Sequence, residues 1–186
     1  MNKYIIGFFI VLGLLVLLIV LLLGGSKHGS TPKSIYLPNY ANKINSSVSM
    51  TMNGPIVSNQ THNSLTITAS SSDVTYNLYL GYDGNVVKSK VYNNTENSYR
   101  ALLYALFYAG FDQGNNDPKL SNSTGYCAQG DVYIFTLTNN NQTISKYWAS
   151  NCSSTPSTYN GQLGSTISLF KQQVPDYYSL TSNANF

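Results

Sequence analysis

The side chains able to do chemistry in this sequence are few, and they are scattered. His28 and His62 are the only histidines, and both precede the part of the chain that shows regular periodicity. No imidazole is therefore placed to act as a general base for a serine or cysteine nucleophile. Asp112, Asp117 and Asp131 form the densest carboxylate group, but their Asn- and Ser-rich loop matches no metal-binding spacing. They read as turn aspartates, with a calcium loop completed by Asn115 or Asn116 as the alternative. No catalytic, metal or cofactor residue is assigned on these grounds, and a metal-dependent or hydrolytic envelope enzyme is kept only as an alternative.

Two residue types remain. Cys127 and Cys152 are the only cysteines and both follow a long apolar segment, so an even count points to a disulfide in an oxidising compartment. The sixteen tyrosines, in a chain with only 9% charged residues, supply rigid contact area of the kind binding surfaces use. Tyr126, Tyr147, Trp148, Tyr159, Tyr177 and Tyr178 gather near the second hairpin and the carboxy-terminal loop. If they share a face, they form a surface for a protein or glycan ligand. The opposing expectation is that most of them fill the core.

The element that positions everything else is Ile5 to Leu23, an apolar run interrupted only by two glycines, Gly7 and Gly13. As a helix it reaches roughly 28 Å, close to the ~30 Å thickness of a bilayer core. It is longer than a signal-peptide apolar region and lacks an Ala-x-Ala-like site after it. The expectation is an uncleaved, single-pass transmembrane anchor behind the short flank 1–4. Lys3 precedes the run while Lys27, His28 and Lys33 follow it, so flanking charge does not give the orientation. The cysteine pair and the charge-poor carboxy-terminal part place the rest of the chain outside the cytoplasm. Net charge is +3, with no basic patch to suit nucleic acid. Gly7-Phe8 after a basic start resembles a pilin processing site, but Leu12 stands where a glutamate is typical; a pilin-like subunit is the rival reading.

Residues 24–63, rich in Ser, Asn, Thr and Gly and carrying Pro32, Pro38 and Pro55, read as a polar flexible stalk. From residue 64 the pattern becomes an extracytoplasmic α+β domain. Leu65, Ile67 and Ala69, then Val74, Tyr76, Leu78 and Leu80, alternate with polar residues as strands do, and Asp83-Gly84 turns into a third strand, Val86 to Tyr92. A helix follows over Thr95 to Ala109, started by an Asn93–Glu96 capping box and closed by Gly110. Two strands, Asp131 to Thr138 and Asn141 to Ala149, then form a hairpin, and a last helix lies near Gly161 to Gln173 before Pro175. The result is a mainly antiparallel sheet of meander and hairpin with helices on one face.

A two-residue turn at Asn139-Asn140 would set opposite each other those residues whose numbers sum to 279. Cys127 and Cys152 meet that condition, on the same predicted face as Tyr133, Phe135, Ile144 and Trp148. Such a bridge closes a loop worth about 3.5 kcal/mol in the chain-entropy model.

The segments Gly125-Tyr126-Cys127, Tyr133-Ile134-Phe135, Tyr147-Trp148-Ala149 with Cys152, and Leu169-Phe170-Lys171 before Val174-Pro175-Asp176-Tyr177 resemble small, uncharacterised, amino-terminally anchored proteins of Patescibacteria-type candidate-phylum bacteria. The resemblance covers roughly the last seventy residues and implies a bacterial envelope location; it supplies no catalytic or ligand residue. The expected function is binding or structural display at the cell surface, anchored in the bilayer through residues 5–23.

Overall fold

The computed structural model describes residues 35–186, and within them the chain forms one antiparallel sheet with a few helices. The strands are β1 (Ser46–Asn53), β2 (Asn63–Ser70), β3 (Asp73–Leu80), β4 (Asn85–Asn93), β5 (Val132–Asn139) and β6 (Gln142–Ser150). Their order in the sheet is β4-β3-β2-β1-β5-β6. The helices are α1 (Glu96–Tyr108), α2 (Leu163–Gln172) and a short α3 (Tyr177–Thr181), preceded by a 3-10 turn at Leu37–Tyr40. The transmembrane helix expected at 5–23 lies outside the described residues. Among the described residues no helix is long and apolar enough to cross a membrane.

The expected stalk is corrected from Ile35 onward. β1 lies inside the sheet, paired with β2 on one side and β5 on the other. Val48, Met50 and Met52 are fully or almost fully buried, while Ser47, Ser49 and Thr51 between them are half-buried. That is strand alternation, with a period of two, hidden in a composition that reads as linker. Leu37 and Ala41, just upstream, are also buried, and the turn that carries them packs against α1.

The meander is as expected: β2 pairs β3 and β3 pairs β4, the second pair with a bulge at Leu78/Tyr79. β4 is an edge strand, and Lys88 and Lys90 on it blunt that edge. Lys88 Nζ donates to the Leu180 carbonyl at 2.9 Å, and Lys90 Nζ pairs with Asp176 at 3.0 Å. At the other edge, Thr158 and Tyr159 donate their backbone N–H groups to Trp148 O and so cover β6.

α1 buries Tyr99, Leu102, Leu103 and Leu106, and α2 buries Phe170. All of them join one core with Met50, Ile67, Tyr76, Phe135 and Tyr147 from the sheet. Phe135 is the hub of its aromatic part, with ring centroids 6.0 Å from Phe111, 4.6 Å from Tyr159 and 6.4 Å from Phe170. The N-cap of α1 is Thr95, which accepts from Ser98 N at 3.2 Å, instead of the expected Asn93. Gly110, at φ 78°, ends the helix in the left-handed conformation that glycine adopts without strain.

Candidate functional site

The six aromatic residues expected to form a binding surface do not do so. Tyr147, Trp148, Tyr159 and Tyr177 are buried; only Tyr126 and Tyr178 are exposed. Three of the four belong to the main core, where ring area is worth more than contact with solvent. Trp148 points the other way. It faces Ile134 across the hairpin and forms a satellite cluster with Cys127 and Val132, on which Leu120 and Cys152 pack. Its indole Nε1 donates to Leu120 O at 2.7 Å, and the Tyr126 ring covers it at 5.2 Å. The loop 112–130 thus folds over one corner of the sheet face opposite the helices.

The disulfide is present, with Cys127 and Cys152 Cα atoms 5.8 Å apart. The register expected to align them is not. Tyr133 faces Ala149 and Phe135 faces Tyr147, because the turn falls on Asn140-Asn141, both left-handed, and a bulge follows at Leu137/Thr138. Cys127 therefore lies off the ladder, in the loop, and the bond lies on the Trp148 side of the sheet instead of sharing a face with Tyr133 and Phe135. Gly130 is what lets the loop close. A Cβ there would stand 2.3 Å from Asn151 Oδ1 and 2.8 Å from Cys127 Sγ.

The carboxylates do not converge. Asp117 caps a 3-10 turn by accepting from Lys119 N at 2.9 Å. Asp131 is buried and accepts from Tyr133 Oη at 3.2 Å and Asn151 Nδ2 at 3.0 Å, leaving Oδ1 without a partner among the described residues. Among the described residues no three His, Cys, Asp or Glu side chains come together as metal ligands. His62, expected in the stalk, is instead buried in the fold; its ring stacks on Tyr82 at 4.1 Å and Nδ1 lies 3.0 Å from Pro55 O. A groove of about 440 Å³ between α2 and α3 is lined by Ile167, Lys171, Val174, Tyr177 and Tyr178.

Burial pushes the Asp131 carboxyl up from its ordinary value, against the downward pull of Tyr133, Lys171 and Asn151. A carboxyl raised in the folded state stabilises below its unfolded value near 3.8 and loses that contribution as pH rises through the folded value. Asp131→Asn removes the buried charge and keeps an acceptor. At pH 7 it is expected to stabilise by about 1 kcal/mol, because the fold no longer holds a desolvated negative charge, or roughly 2–4 °C in Tm. At pH 3 the gain should vanish, and a pH-independent difference in melting curves would reject the burial argument.

What the sheet does present is its outer face. All the helical side chains of the core lie on the other side, so β1, β2 and β3 keep one face free of helices. That face is hydroxyl-rich and carries no charge in its middle. Thr75, Thr68, Ser49 and Thr136 stand in one row across four strands, each half-buried. Asn77, Thr66 and Thr51 form the next row, and Ser70, Ser47 and Thr138 flank the first on its other side. At ~4.8 Å between strands a four-residue row spans about 14 Å. Some hydroxyls pair with each other, Ser47 Oγ with Thr138 Oγ1 at 2.7 Å and Thr51 Oγ1 with Thr66 Oγ1 at 3.0 Å, which fixes their rotamers. The loop with Tyr126 over Trp148 walls one end.

No protein-family model matches this sequence, and no curated protein matches it.

Proposed function

We propose that the chain is a single-pass membrane-anchored protein of the bacterial envelope whose extracytoplasmic α+β domain binds a neutral glycan on the open face of its sheet. The observation that carries the binding part is the uncharged hydroxyl array across β3, β2, β1 and β5. Hydroxyls that act as both donor and acceptor suit a ligand made of hydroxyls, and the threonine methyl groups suit the C–H faces of sugar rings. Tyr126, at the walled end, adds an exposed aromatic edge of the kind that stacks on such rings.

Two observations support the anchored, extracytoplasmic part. The apolar run Ile5 to Leu23 is long enough to span a bilayer, and the disulfide suits an oxidising compartment. The resemblance of the last seventy residues to anchored Patescibacteria-type proteins supports the same envelope location.

The test is a titration of the full chain, held in nanodiscs, with soluble neutral polysaccharides. Thr68→Arg puts a long charged side chain into the middle of the array at a half-buried strand position. It is expected to weaken binding at least tenfold, about 1.4 kcal/mol, while Tm moves little. Undiminished binding by the Thr68→Arg chain, or no binding by the wild type, would overturn the glycan reading.

A further inference from the structure

Opposite its buried stripe, α1 exposes Asn97, Ala101, Tyr104 and Tyr108, the spacing of one helical face. Tyr108 is 77% exposed and Tyr104 41%, and Tyr36, at 44%, joins them from the segment that leads into the domain. The Tyr36 ring meets Phe107 edge-on at 5.0 Å, and Phe107 meets Tyr108 at 5.7 Å, so the rings form one continuous aromatic patch. Beside it runs a groove of about 370 Å³ lined by Tyr36, Pro38, Asn42, Arg100 and Tyr104. Arg100 is partly exposed there, its guanidinium donating to Asn42 Oδ1 and Glu96 Oε1, both at 2.7 Å. Tyr82 stacks on His62 and Tyr126 tilts over Trp148, whereas Tyr108 meets Phe107 only edge-on and leaves most of its ring exposed.

The position of this patch along the chain says what covers it. The patch lies where the chain enters the domain, at Ile35 and Tyr36, and only residues 24–34 separate that point from the end of the apolar run. Fully extended, a segment of that length reaches at most about 40 Å, and as a flexible coil about 18 Å. A domain of this size has a radius of gyration of about 15 Å, so its entry side stays within roughly one diameter of the bilayer. Tyrosine and arginine are the side chains that settle at a membrane–water interface, apolar body inward and polar tip in the headgroup layer.

We infer that Tyr36, Tyr104 and Tyr108 rest on the lipid headgroup layer. The inference rests on the anchored reading above. Its consequence is an orientation: the helical layer lies toward the bilayer and the hydroxyl face of the sheet points away from it, open to the surroundings.

The full chain is reconstituted into phosphatidylcholine and phosphatidylglycerol vesicles whose acyl chains carry bromine just below the headgroups. Trp148, the single tryptophan, is buried and gives a constant background. Tyr108→Trp and, independently, Tyr104→Trp add an indole to the patch; Val91→Trp adds one to the exposed β4 edge on the other sheet face. Emission from the Tyr108→Trp and Tyr104→Trp chains is expected to fall about twofold in brominated against plain vesicles, as for an indole seated at the interface. The Val91→Trp chain should be unaffected. Equal quenching at all three positions, or none at 104 and 108, overturns the orientation while the chain still floats with vesicles after an alkaline wash. A chain stripped from the vesicles by that wash overturns the anchored reading, and the orientation with it.

Discussion

A chain cut to begin at residue 64, where the composition turns from linker-like to strand-like, is expected to lose cooperative unfolding altogether, while one beginning at residue 35 keeps it. The reason is the place of β1. It supplies the hydrogen-bonded neighbour of both β2 and β5, so its removal separates the meander β4-β3-β2 from the hairpin β5-β6. The core loses Leu37, Val48, Met50 and Met52, all 3% exposed or less. Full burial of such side chains is worth ~1.5–3 kcal/mol each, and four of them approach the entire 5–15 kcal/mol of a typical domain. Two newly bare strand edges would add a path to aggregation. Thermal melts of the two chains by near-ultraviolet circular dichroism decide the matter; a chain from residue 64 with a sharp transition close to that of the longer one would refute the central role of β1.

The second large effect is expected on opening the disulfide. Cys127→Ser with Cys152→Ser, or reduction, removes a link between residues 25 apart in sequence. The chain-entropy model puts that at about 3.5 kcal/mol, roughly 7–14 °C in Tm for a chain of this size. The loss is not only entropic in its consequences. The bond holds the loop 112–130 over Trp148, whose burial depends on a cluster of few residues: Cys127, Val132, Leu120, Ile134 and Cys152. Loosening that loop should let water reach the indole before the domain unfolds, so Trp148 emission is expected to shift to the red at temperatures where the far-ultraviolet spectrum is unchanged. Coincident denaturant midpoints with and without reductant would contradict the first part. A red shift that appears only together with loss of secondary structure would contradict the second.

Much of the fold was legible because its elements carry strong local periods. Leu65 to Leu80 alternates cleanly, and Tyr99, Leu103 and Leu106 mark a helix whose end Gly110 announces. β1 has the same alternation at Val48, Met50 and Met52, but Ser, Asn and Thr around it carry a linker composition, and composition outweighed period. The hairpin turn could not be placed to the residue, since Asn139, Asn140 and Asn141 all suit left-handed positions and only the bulge settles which pair is used.

The candidate binding residues were the least legible part. Tyrosine serves core and surface alike, so its type does not say which way it faces, and a shift of one residue in register turns a side chain from one face to the other. Tyr147 and Trp148, neighbours in one strand, must face opposite sides of β6, and the register decides that Tyr147 is the one in the main core. The array of Ser and Thr on the outer face gave no signal of its own in a chain full of both. The sequence alone determined the apolar run, the strand and helix periods and the pairing of two solitary cysteines, because each depends on residues close in sequence or few in number. Only the tertiary structure decided which strand is central, which aromatic rings are buried and which face of the sheet stays open. Those are long-range pairings, and a local pattern is compatible with several of them.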